Sequence, residues 1–302
     1  MATAKAQLGF ALPITDIGGD PRDVRTLAQT AEGLGFSYLA APDHVLGINA
    51  ANRPDWGNLN TSADPYHDPF VLFGFLSGIT ERVGFSTEVM ILAQRQAALV
   101  AKQAASLAVL CGERFRFGVG IGWNAVEAAG LGTDFSTRGA RSAEQVEVMQ
   151  ALWAADHVTF KGKWHQIDDA GINPRPPSGR VPLWFGGHAP ATLKRIAKYG
   201  DGWMYLNHGP GDEAVREFDA LRAEWRTAGR SGEPGVSVRL SAGSGTPEEW
   251  RRDIRFWQDA GVGYFTLHNA FNRSGFTRIE GHDVPAHLEA MVRYHAAVAD
   301  LF

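Results

Sequence analysis

The feature that most restricts this chain is an unbroken alternation of short β-patterned runs with helical patterns. The β runs are QLGFAL (7–12), SYLAA (37–41), RVGFST (82–87), RFRFGVG (114–120), PLWFG (182–186), GWMYL (202–206), VSVRLSA (236–242) and GYFTLH (263–268). Helical patterns fall between them and after the last, at 21–34, 68–80, 96–111, 139–154, 190–199, 212–229, 247–260 and 284–301. Several carry start and stop chemistry. Thr246, Pro247 and Glu249 form a capping-box pattern with Gly261 closing the helix, and Asp20, Pro21 and Gly35 bracket the first one. Eight such units fit a closed parallel (β/α)8 barrel better than an open doubly wound sheet, which usually has fewer strands.

No linker or low-complexity tract divides the chain, so residues 1–302 read as one domain. One piece lies out of step. Residues 155–181, before the fifth strand, alternate like a hairpin and then turn proline-rich, an excursion whose length suits a lid.

The stretch RFRFGVGIGWNAVE (114–127) carries glycines at 118, 120 and 122, which raises the question of a dinucleotide cradle. A Rossmann turn belongs after the first strand and needs an acidic residue ending the next one, about 20 residues on. The first turn here, LPITDIGGDPRD, has no G-x-G-x-x-G, and the region after the glycines is helical in pattern. The glycines are better placed at the end of strand 4, opening a βα loop at the C-terminal mouth of a barrel.

Composition removes other classes. With 29 basic against 33 acidic residues there is no charge excess for nucleic acid or an anionic membrane. Cys111, the single cysteine, ends an apolar helical pattern and reads as a buried thiol, so disulfides and thiolate metal clusters are excluded. The histidines lack metal-ligand spacing, and no metal is expected. The N-terminus has no apolar signal region, and Phe70–Ile79 is too short to span a bilayer, which needs about 18 residues or more. A cytoplasmic protein is expected, with 70–79 buried or forming a dimer face.

In a barrel the chemistry lies where strands end and βα loops begin. Asp43 and His44 follow strand 2, and an imidazole beside a carboxylate suits acid–base work. Glu88 breaks the apolar run after strand 3, which suits a bulge; it is otherwise solvated or bonded to Arg95. Trp123, Asn124 and Glu127 follow strand 4, Trp123 as an aromatic wall or as core. Gly186 and Gly187 follow strand 5 and precede a helix start, a natural anion site or a simple tight turn. Asn207, His208, Arg239, Ser241, His268 and Asn269 stand farther round.

The whole chain resembles the luciferase-like flavin and deazaflavin oxidoreductases, in particular the branch that uses coenzyme F420. The resemblance rests on PDHV (42–45), STEVMILAQRQAALVAKQ (86–103), GVGIGWNAVEAAGLG (118–132), RGARSAEQVEVMQALW (138–153) and VPLWFGGHAPATLKRIAKYGDGW (181–203), in order and at the family's spacing. It implies that Asp43 and His44 lie beside the deazaflavin ring, His44 near the hydride-transfer carbon. It implies that Glu88–Val89 is a bulge with a cis peptide backing the ring, and that Trp123 and Asn124 lie at the ring's side. The loop of Gly186, Gly187 and His188 would hold the cofactor's phosphate-bearing tail. The implied reaction is hydride transfer between F420 and a small organic substrate. Sugar-phosphate dehydrogenases of this family carry Glu where this chain has Trp123, and Thr and Lys where it reads YLNHGPG (205–211), so a weakly charged substrate is expected. The alternatives are an FMN-dependent monooxygenase fed by a separate reductase, and a non-catalytic flavin-binding barrel. The family's habit implies a homodimer.

Overall fold

The computed structural model describes residues 5–57, 59–272 and 276–302. All eight expected strand regions form. They are β1 (Gln7–Ala11), β2 (Tyr38–Ala41), β3 (Gly84–Thr87) continued by β4 (Met90–Ile91), β5 (Phe115–Gly120), β8 (Leu183–Gly186), β9 (Gly202–Tyr205), β10 (Gly235–Ser241) and β11 (Tyr264–His268). β6 (Val158–Lys161) and β7 (Gln166–Ala170) pair only with each other. In the main sheet every pairing is parallel, β1 joins β11 on one side and β2 on the other, and β3 meets β5. The sheet therefore closes into an eight-stranded barrel.

The principal helices return each strand to the N-terminal end of the next: α2 (Pro21–Leu34), α3 (Pro69–Ser77), α4 (Ala97–Leu110), α6 (Arg138–Ala154), α7 (Pro190–Tyr199), α8 (Asp212–Thr227), α9 (Pro247–Asp259) and α10 (Val284–Val298). Short α1 (Ile14–Ile17) and α5 (Ala125–Gly130) sit in the loops after β1 and β5. Their ends follow the local chemistry: Asp20 accepts from the Arg22 N–H, Gly35 takes a left-handed φ of 93°, and Thr246 and Glu249 complete a capping box. Among the described residues no helix is long and apolar enough to cross a membrane.

Inside the barrel, the N-terminal end is plugged by a cation among rings. The Arg116 guanidinium lies 4.4 Å from the Tyr38 and Tyr264 ring centroids and 4.7 Å from that of Trp184. Gly9 makes room for one of these rings; a Cβ there would strike Tyr38 Cε2.

The three glycines of 118–122 make room for the neighbouring strand. Strand 3 is bulged where it meets β5: Ser86 is opposite Arg116 and Met90 opposite Val119, so one extra residue is accommodated. A Cβ on Gly118 would strike the Thr87 carbonyl, one on Gly120 would lie 2.7 Å from Val89 Cγ2, and one on Gly122 would lie 2.6 Å from Ile91 Cγ2. Alternate residues of the bulged strand thus seat on alternate glycines of its neighbour.

The excursion 155–181 is not a lid over the mouth. It joins the end of α6 to the start of β8, so it leaves from the N-terminal end of the barrel. The tip of its β6–β7 hairpin folds against α6, where Glu144 accepts the N–H groups of Lys163, Trp164 and His165, each at 2.8 Å. Lys102 of α4 donates to the Asn173 carbonyl, and the Ser178 N–H donates at 2.9 Å to Glu113, which precedes β5. A groove of about 650 Å³ between Asp156 and Arg175 belongs to this segment, at the end opposite the strand C-termini. The long segment at the mouth is instead 42–68, between β2 and α3.

Candidate active site

Strand β2 ends in Ala41, and the next turn sends two neighbouring side chains to different partners. Asp43 is 2% exposed. Its Oδ1 accepts from Arg95 Nη2 at 2.6 Å, and its Oδ2 accepts from Arg95 Nε at 3.2 Å and the Ile91 N–H at 2.9 Å. Arg95 also reaches Asp68 at 3.0 Å, the residue that caps α3. Asp43 is thus an ion-paired brace between β2, β4 and α3.

His44 turns instead to α5. Its Nδ1 is 3.0 Å from Glu127 Oε2, with the imidazole 12% and the carboxylate 0% exposed. The carboxylate beside His44 in space is Glu127, not its chain neighbour Asp43. Glu127 Oε1 accepts the N–H groups of Val45 at 2.6 Å and Leu46 at 3.2 Å. Burial favours the neutral acid, yet these donors and His44 outweigh it and hold the carboxyl below its usual range.

Asn124 explains how Glu127 reaches that position. It is buried and caps α5, its Oδ1 accepting from the Val126 and Glu127 N–H groups at 2.9 and 3.0 Å. Asn124 and Glu127 stand at the N-cap and N3 positions, the spacing of a capping box, but the glutamate turns to the β2 loop instead of back to the cap.

Aromatic rings wall His44. Tyr66 meets it edge-on at 5.0 Å and Trp123 at 5.9 Å, and Trp56 lies 5.4 Å from Trp123. Trp123 is 50% exposed, the wall of the two roles open to it, and Trp56 and Tyr66 come from the long 42–68 segment. Burial pushes the Tyr66 hydroxyl up to about 12, so it stays protonated.

Glu88 is neither solvated nor bonded to Arg95. It is buried in the barrel, with Oε1 accepting the Thr266 hydroxyl at 2.6 Å and Oε2 3.1 Å from His268 Nε2. The Glu88–Val89 peptide is cis. Val89 Cγ1 would be 3.1 Å from a Cβ on Gly186, so with Gly120 on its other side the valine projects between two bare backbones. A cavity of about 70 Å³ opens beside it, bordered by Glu88, Gly186, Gly187, Met204 and Arg239.

Gly187 has a φ of 105°, and its carbonyl accepts from Trp203 Nε1 at 2.8 Å. His188 is exposed, and no side chain caps α7, which starts at Pro190 just beyond it. Pro190 carries no N–H, and the Thr192 N–H donates to the Ala189 carbonyl at 2.7 Å.

The structure thus brings His44 together with Trp123, and Val89 together with Gly186 and Gly187. Asp43 faces Arg95, and Asn124 acts within α5. The roles of Trp56, Tyr66, Thr266 and Arg95 are not visible in the sequence, because each depends on long-range packing. Among the described residues no group of three or more His, Cys, Asp or Glu side chains could hold a metal ion.

Fold and site define a (β/α)8-barrel protein with a histidine–glutamate pair and an aromatic wall at the C-terminal mouth, where enzymes of this architecture do their chemistry. The chain belongs to the luciferase-like monooxygenase family, whose model matches residues 6–298. It is 36% identical over 202 residues to an uncharacterized protein of Mycobacterium tuberculosis, covering 65% of this chain and 68% of that one. It is 28% identical over 267 residues to the F420-dependent glucose-6-phosphate dehydrogenase of Mycolicibacterium fortuitum, covering 84% of this chain and 74% of the relative. Among solved structures, the monooxygenase RslO1 from Streptomyces bottropensis shares the fold with a TM-score of 0.76, at 17% identity over 98% of each chain.

Proposed function

We propose that this protein is an F420-dependent oxidoreductase that moves a hydride between the deazaflavin and a small, weakly charged organic substrate. The observation that carries the proposal is the His44–Glu127 pair at the end of β2, 3.0 Å apart and opening on an aromatic mouth. The likeness to an F420-dependent dehydrogenase supports the choice of cofactor.

The residues present fit such a group. Gly120 and Gly186 leave Val89 as the raised point of a floor otherwise bare of side chains, on which a flat ring can lie. The loop of Gly186, Gly187 and His188, with the uncapped start of α7, would take the phosphate-bearing tail. When bound, the deazaflavin supplies or accepts the hydride.

The chain's own residues supply the rest. Ionised Glu127 accepts from His44 Nδ1–H and so fixes the ring's tautomer and direction. His44 Nε2 is then the atom that takes a proton from a substrate hydroxyl in oxidation, or returns one to a carbonyl oxygen in reduction. Trp56, Tyr66 and Trp123 exclude water and favour an apolar substrate body. Asp43, through Arg95 and Ile91, holds the turn that presents His44.

Titration of the purified protein with F420 and with FMN, followed by fluorescence, tests the reading. Micromolar F420 binding with negligible FMN binding is expected. The reverse result would make the protein an FMN-dependent monooxygenase, and binding without turnover of any acceptor would make it a non-catalytic barrel. A homodimer belongs to the same proposal, since Val71 and Phe75 of α3 and Leu99 and Leu110 of α4 are exposed apolar residues; light scattering at the monomer mass would refute it.

A further inference from the structure

A second imidazole–carboxylate pair lies inside the barrel, and the mechanism above makes no use of it. Strand β11 turns Tyr264, Thr266 and His268 inward, and His268 is its last residue, at the mouth end. Glu88 lies 3.1 Å from His268 Nε2 while accepting the Thr266 hydroxyl at 2.6 Å. That hydroxyl is also 2.8 Å from the Tyr38 hydroxyl, and Arg116 Nη2 is 4.0 Å from Glu88.

Charge decides where the proton sits. Burial works against ionised Glu88, but His268, Arg239 and Thr266 outweigh it and bring the carboxyl down to about 2. Burial and then Arg239 push the His268 imidazole down to about 4, against the pull of Glu88. At neutral pH the histidine is uncharged and its one proton lies on Nε2, facing the carboxylate. Nδ1 is then a bare acceptor. It is buried, on a residue 5% exposed, and has no hydrogen-bond partner among the described residues. Buried acceptors are normally satisfied, so one left open at a binding mouth marks a place for a ligand's donor.

We infer that His268, locked in its Nε2–H tautomer by Glu88, recognises ligand by accepting a hydrogen bond at Nδ1 from a neutral N–H or O–H group bound in the barrel mouth. The inference rests on the mouth being the cofactor and substrate site. Two ligands carry such a donor: the imide N–H of a deazaflavin or flavin ring, and the hydroxyl of an alcohol substrate. Glu88 acts through His268 and is a positioning residue. Arg116, Arg239 and Tyr38 are the other charged or titratable groups facing the pair.

Protein labelled with ¹⁵N-histidine tests this, with His268→Gln used to assign the signals. At pH 7 the unliganded protein should show His268 neutral with its proton on Nε2; a protonated ring or an Nδ1–H tautomer would overturn the inference at once. Oxidised F420 is then added, followed by 2-propanol. If the cofactor is the donor, the Nδ1 resonance moves upfield with F420 alone. His268→Phe then weakens F420 binding by about 3- to 10-fold, and His268→Gln, which keeps an acceptor, restores most of it. If the alcohol is the donor, Nδ1 moves only in the second step and F420 affinity is the same in all three proteins. An Nδ1 resonance unmoved by either ligand overturns the inference while leaving the cofactor assignment intact. If F420 does not bind, FMN carries the same imide and replaces it; failure of both removes the proposed function together with the inference.

Discussion

Two of the molecule's histidine–glutamate pairs, His44–Glu127 at 3.0 Å and His268–Glu88 at 3.1 Å, are nearly equal in length, and their surroundings set them to different work. The first lies at the rim. Its carboxylate is buried but fed by backbone N–H groups, and its imidazole opens toward the mouth among aromatic rings. The second lies within the barrel, with Thr266, Arg239 and Arg116 around it and both partners buried. A pair that can reach substrate suits proton exchange. A pair fixed in one charge state by neighbouring cations suits recognition and architecture. Residue type is shared; burial and the neighbouring charge make the difference.

The widest separation between the pairs should be in rate. Under the proposed function, His44→Ala loses about 10²–10⁴-fold in turnover while F420 affinity and stability barely change. An equal loss of turnover and binding would merge the two roles. The converse variant is Glu88→Ala, which strands His268 and two arginines around a missing anion. It should lose about 3–5 kcal/mol of stability, read by urea unfolding at pH 7. A loss below about 1 kcal/mol would mean that water satisfies the cluster and that the two pairs are alike.

Acid should also separate them. The unfolded chain takes up the histidine proton near 6.5 and the carboxyl proton near 4.5, whereas the folded pair does so near 4 and 2. Between these limits the unfolded state binds more protons, so stability from this pair is complete above about pH 6.5 and falls on acidification. Each excess proton gives a slope of at most about 1.4 kcal/mol per pH unit. His268→Gln should flatten the slope between pH 4 and 6.5 and also narrow the lower window, because His268 is foremost among the groups that hold the Glu88 carboxyl down. The smallest effect is expected at Asn124→Ala, which removes the α5 cap at a cost of about 1 kcal/mol. Because that cap aims Glu127, turnover should fall by more than the stability change suggests; unchanged turnover would show that Glu127 needs no aiming.

Much of this molecule was legible in the chain because it is local. The strand–helix alternation, Asp20 and Thr246 as caps, Gly35 as a stop, and the break in strand 3 at Glu88 all follow from residues within a few positions of one another. The excursion 155–181 is legible as a segment from its composition, and its side of the barrel follows from its place between a helix and the next strand. The site was legible as strand ends. Its pairings were not: His44 stood beside Asp43 in the chain, and nothing local says that Asp43 belongs to Arg95.

The sequence by itself determined the period of the elements, and with it the closed barrel, because backbone hydrogen bonding and side-chain periodicity act over short distances. It also placed three glycines beside a bulged strand without saying which side chains they admit. Tertiary structure alone decided that Thr87, Val89 and Ile91 seat on those glycines, and that Glu127 and Glu88 find histidines 83 and 180 residues away. Those choices depend on strand register and on which charges burial forces together, and both exist only once the sheet has closed.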